Sequence, residues 1–240
     1  MEAILLAGGK AERLGEAAGG LPKPLVPVAG HPLAAYQVAL LARAGVGRVI
    51  VSCSLGQEGL FEDALGGLGV EVVTVPEPEP LGRGGGIRLA AGARAEEGPV
   101  YVFNGDELLD IDLAALLAHH REKGADATIT VSPLRSAFGI VDVEDSDEVT
   151  GFREAPVLPF WVSSGVYVLE SAALDRFPER GDHETTAFPA LAGEGRLYAY
   201  RFDGTWLTLN TPKDLRRIED HVARHPEWLP SVGAGAPPSL

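Results

Sequence analysis

Met1-Glu2-Ala3-Ile4-Leu5-Leu6-Ala7-Gly8-Gly9-Lys10-Ala11-Glu12-Arg13-Leu14 is the stretch that decides the fold. A short apolar run, residues 3–6, breaks into two glycines, as a buried strand does when it enters a turn. Glycine at such a turn lets backbone approach a ligand closely, and Lys10 and Arg13 would face an anion there. By itself a Gly-Gly turn after a strand is equally a structural connection. It matches neither G-x-G-x-x-G nor the P-loop pattern, which disfavours dinucleotide redox enzymes and ATPases.

Working outward, residues 48–52, 71–75 and 100–103 repeat the short apolar run, and helical spacing fills 32–44, 58–66 and 84–93 between them. Asp112 opens a further helix as its N-cap. Strand–helix alternation at this rhythm predicts an α/β fold, Rossmann-like and doubly wound, around a mostly parallel mixed sheet. The second half turns β-rich at 126–131, 140–143, 149–153 and 166–169, with Asp145-Ser146-Asp147 as hairpin turn chemistry. Helical signal returns at 185–192 and 212–224, the latter behind the cap pair Thr211-Pro212. No internal repeat or hexapeptide period is found. The expected organisation is one domain over 1–225, with halves 1–125 and 126–225, and a loose tail at 226–240.

Of the 240 residues, 45% are hydrophobic and 22% charged, enough for one core. The net charge of −14 disfavours nucleic acid and anionic membrane as partners, so any bound phosphate needs local cations and backbone N–H groups. The single Cys53 excludes a disulfide framework and a multi-cysteine zinc site, and reads as a small buried hydrophobe. His119-His120 are helix neighbours that do not share a face, so the histidines give no metal spacing. No apolar run reaches the roughly 18 residues of a membrane span. The first residues lack the basic start and length of a signal peptide. A soluble, cytoplasmic protein is expected.

Two further segments carry chemistry. In Pro22-Lys23-Pro24 the prolines hold one lysine in a pre-set conformation, either to meet a phosphate or merely within a rigid loop. Asn104-Gly105-Asp106 ends an apolar strand, where ligands of open α/β sheets sit. A carboxylate there can hold Mg²⁺ against substrate phosphates, or serve only as an Asx turn.

Taken in order, these segments resemble the nucleotidyltransferases that make nucleotide sugars from sugar 1-phosphates. The family pattern L-A-G-G-x-G-x-R-L, P-K-P, a glycine-rich L-G segment and N-G-D appears at 6–14, 22–24, 81–86 (Leu81-Gly82-Arg83-Gly84-Gly85-Gly86) and 104–106. Weaker matches follow at Phe138-Gly139, Phe152-Arg153-Glu154, Ser164-Gly165-Val166-Tyr167 and 206–215. The resemblance, including mannose-1-phosphate and molybdenum-cofactor guanylyltransferase-like enzymes, covers about 1–220.

It implies that Leu6, Ala7, Gly8, Gly9, Lys10 and Gly82 bind nucleotide, that Arg13 and Lys23 act on the phosphates, and that Asp106 ligates Mg²⁺. Gly139, Glu154 and Ser164 would bind the acceptor, making the β-rich half the sugar-binding portion. The sugar phosphate oxygen would attack the α-phosphorus in line and displace pyrophosphate without a protein nucleophile. The implied partners are an NTP and a sugar 1-phosphate, with homo-oligomerisation possible.

Three departures stand out. Ala11 replaces the family's second glycine, which is tolerable at negative φ. Glu154-Ala155-Pro156 lacks the lysine of Glu-Lys-Pro, leaving Arg153, Arg135 or Arg83 as substitutes. Thr208 stands where a second metal-binding Asp is usual, and the Asn210 amide oxygen is the candidate replacement ligand, unless it only starts a helix. Glu77 falls near the base-reading position. A carboxylate suits the two adjacent donors of guanine better than uracil or thymine, so GTP is favoured modestly. The alternative reading is a catalytically silent nucleotide-binding regulatory subunit or paralogue.

Overall fold

Strict alternation along β1 (Glu2–Leu6) sends Ala3 and Leu5 into one apolar cluster and Ile4 into another, so this strand is covered on both faces. The computed structural model describes residues 1–9 and 11–230. Lys10 and residues 231–240, the rest of the expected tail, lie outside the described residues.

After β1 come the two-residue pair β2 (Pro27–Val28) and β3 (His31–Pro32), α1 (Leu33–Arg43), β4 (Arg48–Ser54), α2 (Glu58–Leu65) and β5 (Glu71–Glu77). The chain continues through α3 (Gly82–Ala91), β6 (Val100–Asn104), β7 (Glu107–Leu109) and α4 (Leu113–Lys123). The second half holds β8 (Ala127–Arg135), β9 (Ile140–Val143), β10 (Val149–Arg153), β11 (Val157–Leu169), α5 (Ser171–Leu174), α6 (Ala187–Gly193), β12 (Leu197–Arg201), β13 (Trp206–Thr208) and α7 (Pro212–Arg224).

A seven-stranded sheet runs β12-β8-β11-β6-β1-β4-β5, with strands from both halves of the chain. Only β11 is antiparallel to the rest. The fold is therefore the expected α/β, mostly parallel sheet. Helices α1, α2 and α4 cover one face, through Val38, Leu41, Phe61, Leu65 and Leu116. Helices α3, α5 and α6 cover the other, through Ile87, Leu174, Phe188 and Leu191. Among the described residues no helix is long and apolar enough to cross a membrane.

Strand order sets the site. From β1 the chain pairs outward through β4 and β5, then returns to lay β6 on the opposite side of β1. That reversal opens a crevice at the carboxyl ends of β1 and β6. Their final pair, Leu6 and Asn104, stand at its lip.

Local chemistry explains the helix ends. Asp112 accepts from the Ala115 N–H as the expected N-cap of α4, and Gly124 closes that helix at φ 56°. Thr211 and Asp214 form a capping box at α7. The first residues of the expected tail are ordered against the domain. Pro226–Trp228 forms a 3₁₀ turn, and Trp228 and Leu229 pack against a third cluster built by Leu14, Val28, Leu207 and Val222. Strand β11 runs for 13 residues, far beyond the expected 166–169. Pro159 hides it in the sequence, and its pairing with β8 shifts register between Val157 and Trp161.

The loop before α6 docks on the glycine-rich start of α3. The Gly84 N–H donates to Gly181 O at 2.9 Å and the Gly181 N–H to Leu81 O at 2.8 Å. Inside it, His183 is fully buried, stacked on Phe177 and edge-on to Tyr167 and Phe188. Its Nδ1 lies 3.6 Å from Asp182 Oδ1, beyond hydrogen-bond reach. Burial pushes the imidazole pKa down to about 4, against the pull of Asp182 and with some help from Arg83. The unfolded chain, with an ordinary His, then takes up the proton first, so stability falls as pH drops from about 6.5 toward 4. Thermal unfolding of His183→Phe should lose about 5 °C less than the parent between pH 7 and pH 4.5. Equal losses would show that His183 does not carry the acid sensitivity.

Candidate active site

The first loop leaves β1 with the Ala7 N–H donating to Ser52 O at 2.7 Å, which fixes Ala7 in the core and turns Gly8 and Gly9 outward. Ala11 follows at φ −88°, so its methyl group is accommodated without strain. Gly8, Gly9, Ala11, Gly15, Ser54 and Gln57 line a cavity of ≈ 280 Å³. Arg13 sits on the exposed side of the 3₁₀ turn Glu12–Ala18.

Across the crevice, three predicted residues meet. Lys23, on the 3₁₀ turn Lys23–Leu25, donates from Nζ to Asp106 Oδ2 at 2.9 Å and to Asn210 Oδ1 at 3.0 Å. Both carriers of oxygen are held from behind. The Gly105 N–H donates to Leu6 O at 3.0 Å, and a Cβ at Gly105 would strike that same carbonyl and the Pro24 ring. Asn210 donates from Nδ2 to Thr208 Oγ1 at 3.1 Å, and its backbone N–H donates to Asp214 Oδ2 at 3.2 Å. Thr208 thus turns the Asn210 carbonyl oxygen toward Lys23.

One carboxylate and one amide oxygen converging on an ammonium form a hard-oxygen set of the kind Mg²⁺ takes. Among the described residues no group of three or more His, Cys, Asp or Glu could hold a metal. Two protein oxygens alone fit an ion completed by phosphate oxygens and water. Beside them Glu107 is buried and accepts from Trp206 Nε1 at 2.6 Å. Burial, then the Asp106 charge, push its pKa up to about 8, while Trp206 and Lys23 pull the other way.

Glu77 ends β5 and is anchored at both oxygens. Ser52 Oγ donates to Oε1 at 2.9 Å, and the Leu81 N–H donates to Oε2 at 3.0 Å. A Cβ at Gly8 would lie 3.1 Å from Oε1, and one at Gly86 2.8 Å, so two glycines make room for this carboxylate beside the first loop. Gly82, at φ +76°, lies instead against Gly181, where a Cβ would come within 2.7 Å of the carbonyl oxygen.

In the second half, Gly139 and Glu154 come together. A Cβ at Gly139 would stand 3.1 Å from Glu154 Oε2 and strike the Phe152 ring. Ser164 is fully buried. Its hydroxyl donates to Thr130 O at 3.1 Å and lies 3.0 Å from Ser132 Oγ, so it is spent inside the sheet. The neighbouring exposed Ser163 instead shares a polar chain, Ser163 Oγ to Tyr167 OH at 3.5 Å and Tyr167 OH to Glu184 Oε1 at 3.4 Å. Arg83 closes that chain on Glu184 at 2.6 Å and Asp182 at 2.5 Å. Arg153 is engaged by both oxygens of Asp142. Of this polar chain, Tyr167 lies in the expected Ser164–Tyr167 match, while Ser163 and Glu184 were not singled out from the sequence. The alternation of β11 could have found Ser163, since neighbours on a strand face opposite sides.

A switch-point crevice carrying a glycine turn, a lysine and an aspartate places the molecule among Rossmann-like α/β proteins with a polar site at the sheet's carboxyl edge. The chain belongs to the nucleotidyl transferase family, whose model matches residues 2–225. It is 36% identical over 235 residues to mannose-1-phosphate guanylyltransferase of Mycobacterium tuberculosis, covering 93% of this chain and 65% of that protein. With the Xenopus tropicalis mannose-1-phosphate guanylyltransferase catalytic subunit beta it shares 33% identity over 98% of this chain and 69% of that one. The chain therefore spans about two thirds of the length of these relatives. The crystal structure of HddC from Yersinia pseudotuberculosis superposes with a TM-score of 0.72 at 21% identity, over 92% of this chain and 98% of that chain, a likeness of fold.

Proposed function

We propose that this chain transfers a nucleotidyl group from an NTP, GTP for preference, to a sugar 1-phosphate, releasing pyrophosphate, with Mg²⁺ at Asp106 and Asn210. The observation that carries the reading is the Lys23 ammonium held on both of those oxygens in the switch-point crevice. Two relatives named for mannose-1-phosphate guanylyl transfer support the same chemistry and make mannose 1-phosphate the first acceptor to try.

Lys23 neutralises Asp106 while the crevice holds no triphosphate, then exchanges these two oxygens for phosphate oxygens. The acceptor's phosphate oxygen forms its bond to the α-phosphorus as the bond to the pyrophosphate oxygen breaks, and the electron pair leaves with pyrophosphate. Bound Mg²⁺ supplies positive charge to the triphosphate. Lys23, and Arg13 from the exposed turn, add to that charge, while Gly8 and Gly9 admit the nucleotide close to backbone. Gly139 and Glu154 take the acceptor hydroxyls. Arg83 and Arg153 are engaged by carboxylates and would have to exchange them for an acceptor phosphate, so Arg135, beside the Ala155–Pro156 turn, is the first candidate for that role.

Each oxygen of Glu77 accepts one internal bond and keeps capacity for a second, which suits the two adjacent donors of guanine. Glu77→Gln should lower the GTP-to-UTP ratio of kcat/KM by about tenfold or more. An unchanged ratio removes Glu77 from base recognition. The overall reading is tested by pyrophosphate release from ATP, GTP, CTP, UTP and dTTP against a panel of sugar 1-phosphates. Release that needs both substrates supports it. Tight NTP binding with no release marks the silent nucleotide-binding paralogue.

A further inference from the structure

Helix α1 buries an almost wholly apolar face, Leu33, Ala34, Ala35, Val38, Ala39 and Leu41, with Gln37 set among them at 2% exposure. Both N–H groups of its amide are spent on one short segment. Nε2 donates to Asn104 O at 2.8 Å and to Glu107 O at 2.6 Å. These carbonyls bracket Gly105 and Asp106, beyond the last ladder pair of β6. The Gly105 N–H donates to Leu6 O, and the Leu209 N–H donates to Asp106 O at 2.9 Å. Asp106 is thereby fixed through its own backbone and both flanks, with the Gln37 amide gripping the two flanking carbonyls at once.

The amide is not there for its own satisfaction. Gln37 Oε1 is buried with no hydrogen-bond partner among the described residues. A buried unpaired acceptor costs about 1–3 kcal/mol. An apolar side chain would avoid that cost but would strip both carbonyls of their donor.

We propose that Gln37 is a positioning residue that holds the 104–107 turn so that Asp106 Oδ2 faces the reacting phosphates and their metal. This rests on the assignment of Asp106 under Proposed function. A misplacement of about 1 Å at a reacting centre is enough to lower the rate about a hundredfold.

The test compares Gln37→Met, which keeps length and removes both donors, with Gln37→Glu, which keeps shape and carries at most one. Tyr36→Phe is the control, because it removes the Tyr36 hydroxyl's bond to Val28 O from the same helix without touching the turn. Calorimetric Mg²⁺ titration of the GTP-bound protein without acceptor gives a readout independent of turnover. Gln37→Met should weaken Mg²⁺ about tenfold and lower kcat about ten- to a hundredfold, with GTP binding in EDTA within twofold of the parent. Gln37→Glu should fall between. Tyr36→Phe should shift thermal stability while leaving Mg²⁺ affinity in place. Parent-like Mg²⁺ affinity in folded Gln37→Met or, should that variant not fold, in Gln37→Glu overturns the proposal, as does an equal loss in Tyr36→Phe. If the parent itself binds GTP and Mg²⁺ but releases no pyrophosphate, the transferase reading fails while the Mg²⁺ titrations still decide the role of Gln37.

Discussion

Lys23→Met should lower kcat at least about a hundredfold, the loss expected when a charge aimed at the transition state is removed, while GTP binding weakens only a few-fold. The same substitution should raise Mg²⁺ affinity in the nucleotide-free protein. These opposite signs follow from one geometry. The ammonium lies 2.9 Å from Asp106 Oδ2 and 3.0 Å from Asn210 Oδ1, so it both occupies and repels at the place a divalent ion would use. Removing it frees two oxygens for metal but leaves the triphosphate without its lysine. Equal losses in binding and turnover would make Lys23 a uniform phosphate contact. Unchanged or weaker Mg²⁺ binding without nucleotide would show that the ammonium does not compete with the ion.

The second large effect belongs to Asp106. It is the only carboxylate of the two proposed ligands, so Asp106→Asn leaves two neutral oxygens and should reduce turnover about a thousandfold at millimolar Mg²⁺. Asn210→Asp adds the missing charge and should lower the Mg²⁺ concentration for half-maximal rate while retaining activity. The capping box Thr211–Asp214 is independent of the Asn210 side chain, so α7 should keep its start in this variant. Near-normal turnover of Asp106→Asn would contradict the metal assignment, and a silent Asn210→Asp together with a silent Asn210→Ala would return Asn210 to a helix-start residue.

The sheet was legible because its inner strands are buried on both faces, which leaves continuous apolar runs in β1, β4 and β6. Where burial is partial the signal fades. Strand β12, with Tyr198 and Ala199 exposed, carries no periodicity of its own, and β7 and β13, three residues each, are too short to show any. Lys23 and Asp106 could be named from sequence because local chemistry marks them, two prolines and a glycine turn, whereas Asn210, just before the Thr211 cap, was singled out only through the family resemblance. Gln37 could not. It sits in an apolar helix, and only the tertiary meeting of α1 with the end of β6 gives its amide a purpose. The expected acceptor residue Ser164 has its hydroxyl turned into the sheet while that of Ser163 faces outward, a difference of one strand position that the sequence motif does not display.

The most direct measurement follows the α-phosphorus itself. The protein is incubated with GTP radiolabelled at the α-phosphate, a sugar 1-phosphate and Mg²⁺, and the products are separated. The label should move into a sugar-linked diphosphate while unlabelled pyrophosphate is released, and Asp106→Asn should abolish both. Label that stays in GTP across the acceptor panel, or that appears only in GMP or GDP, would contradict it.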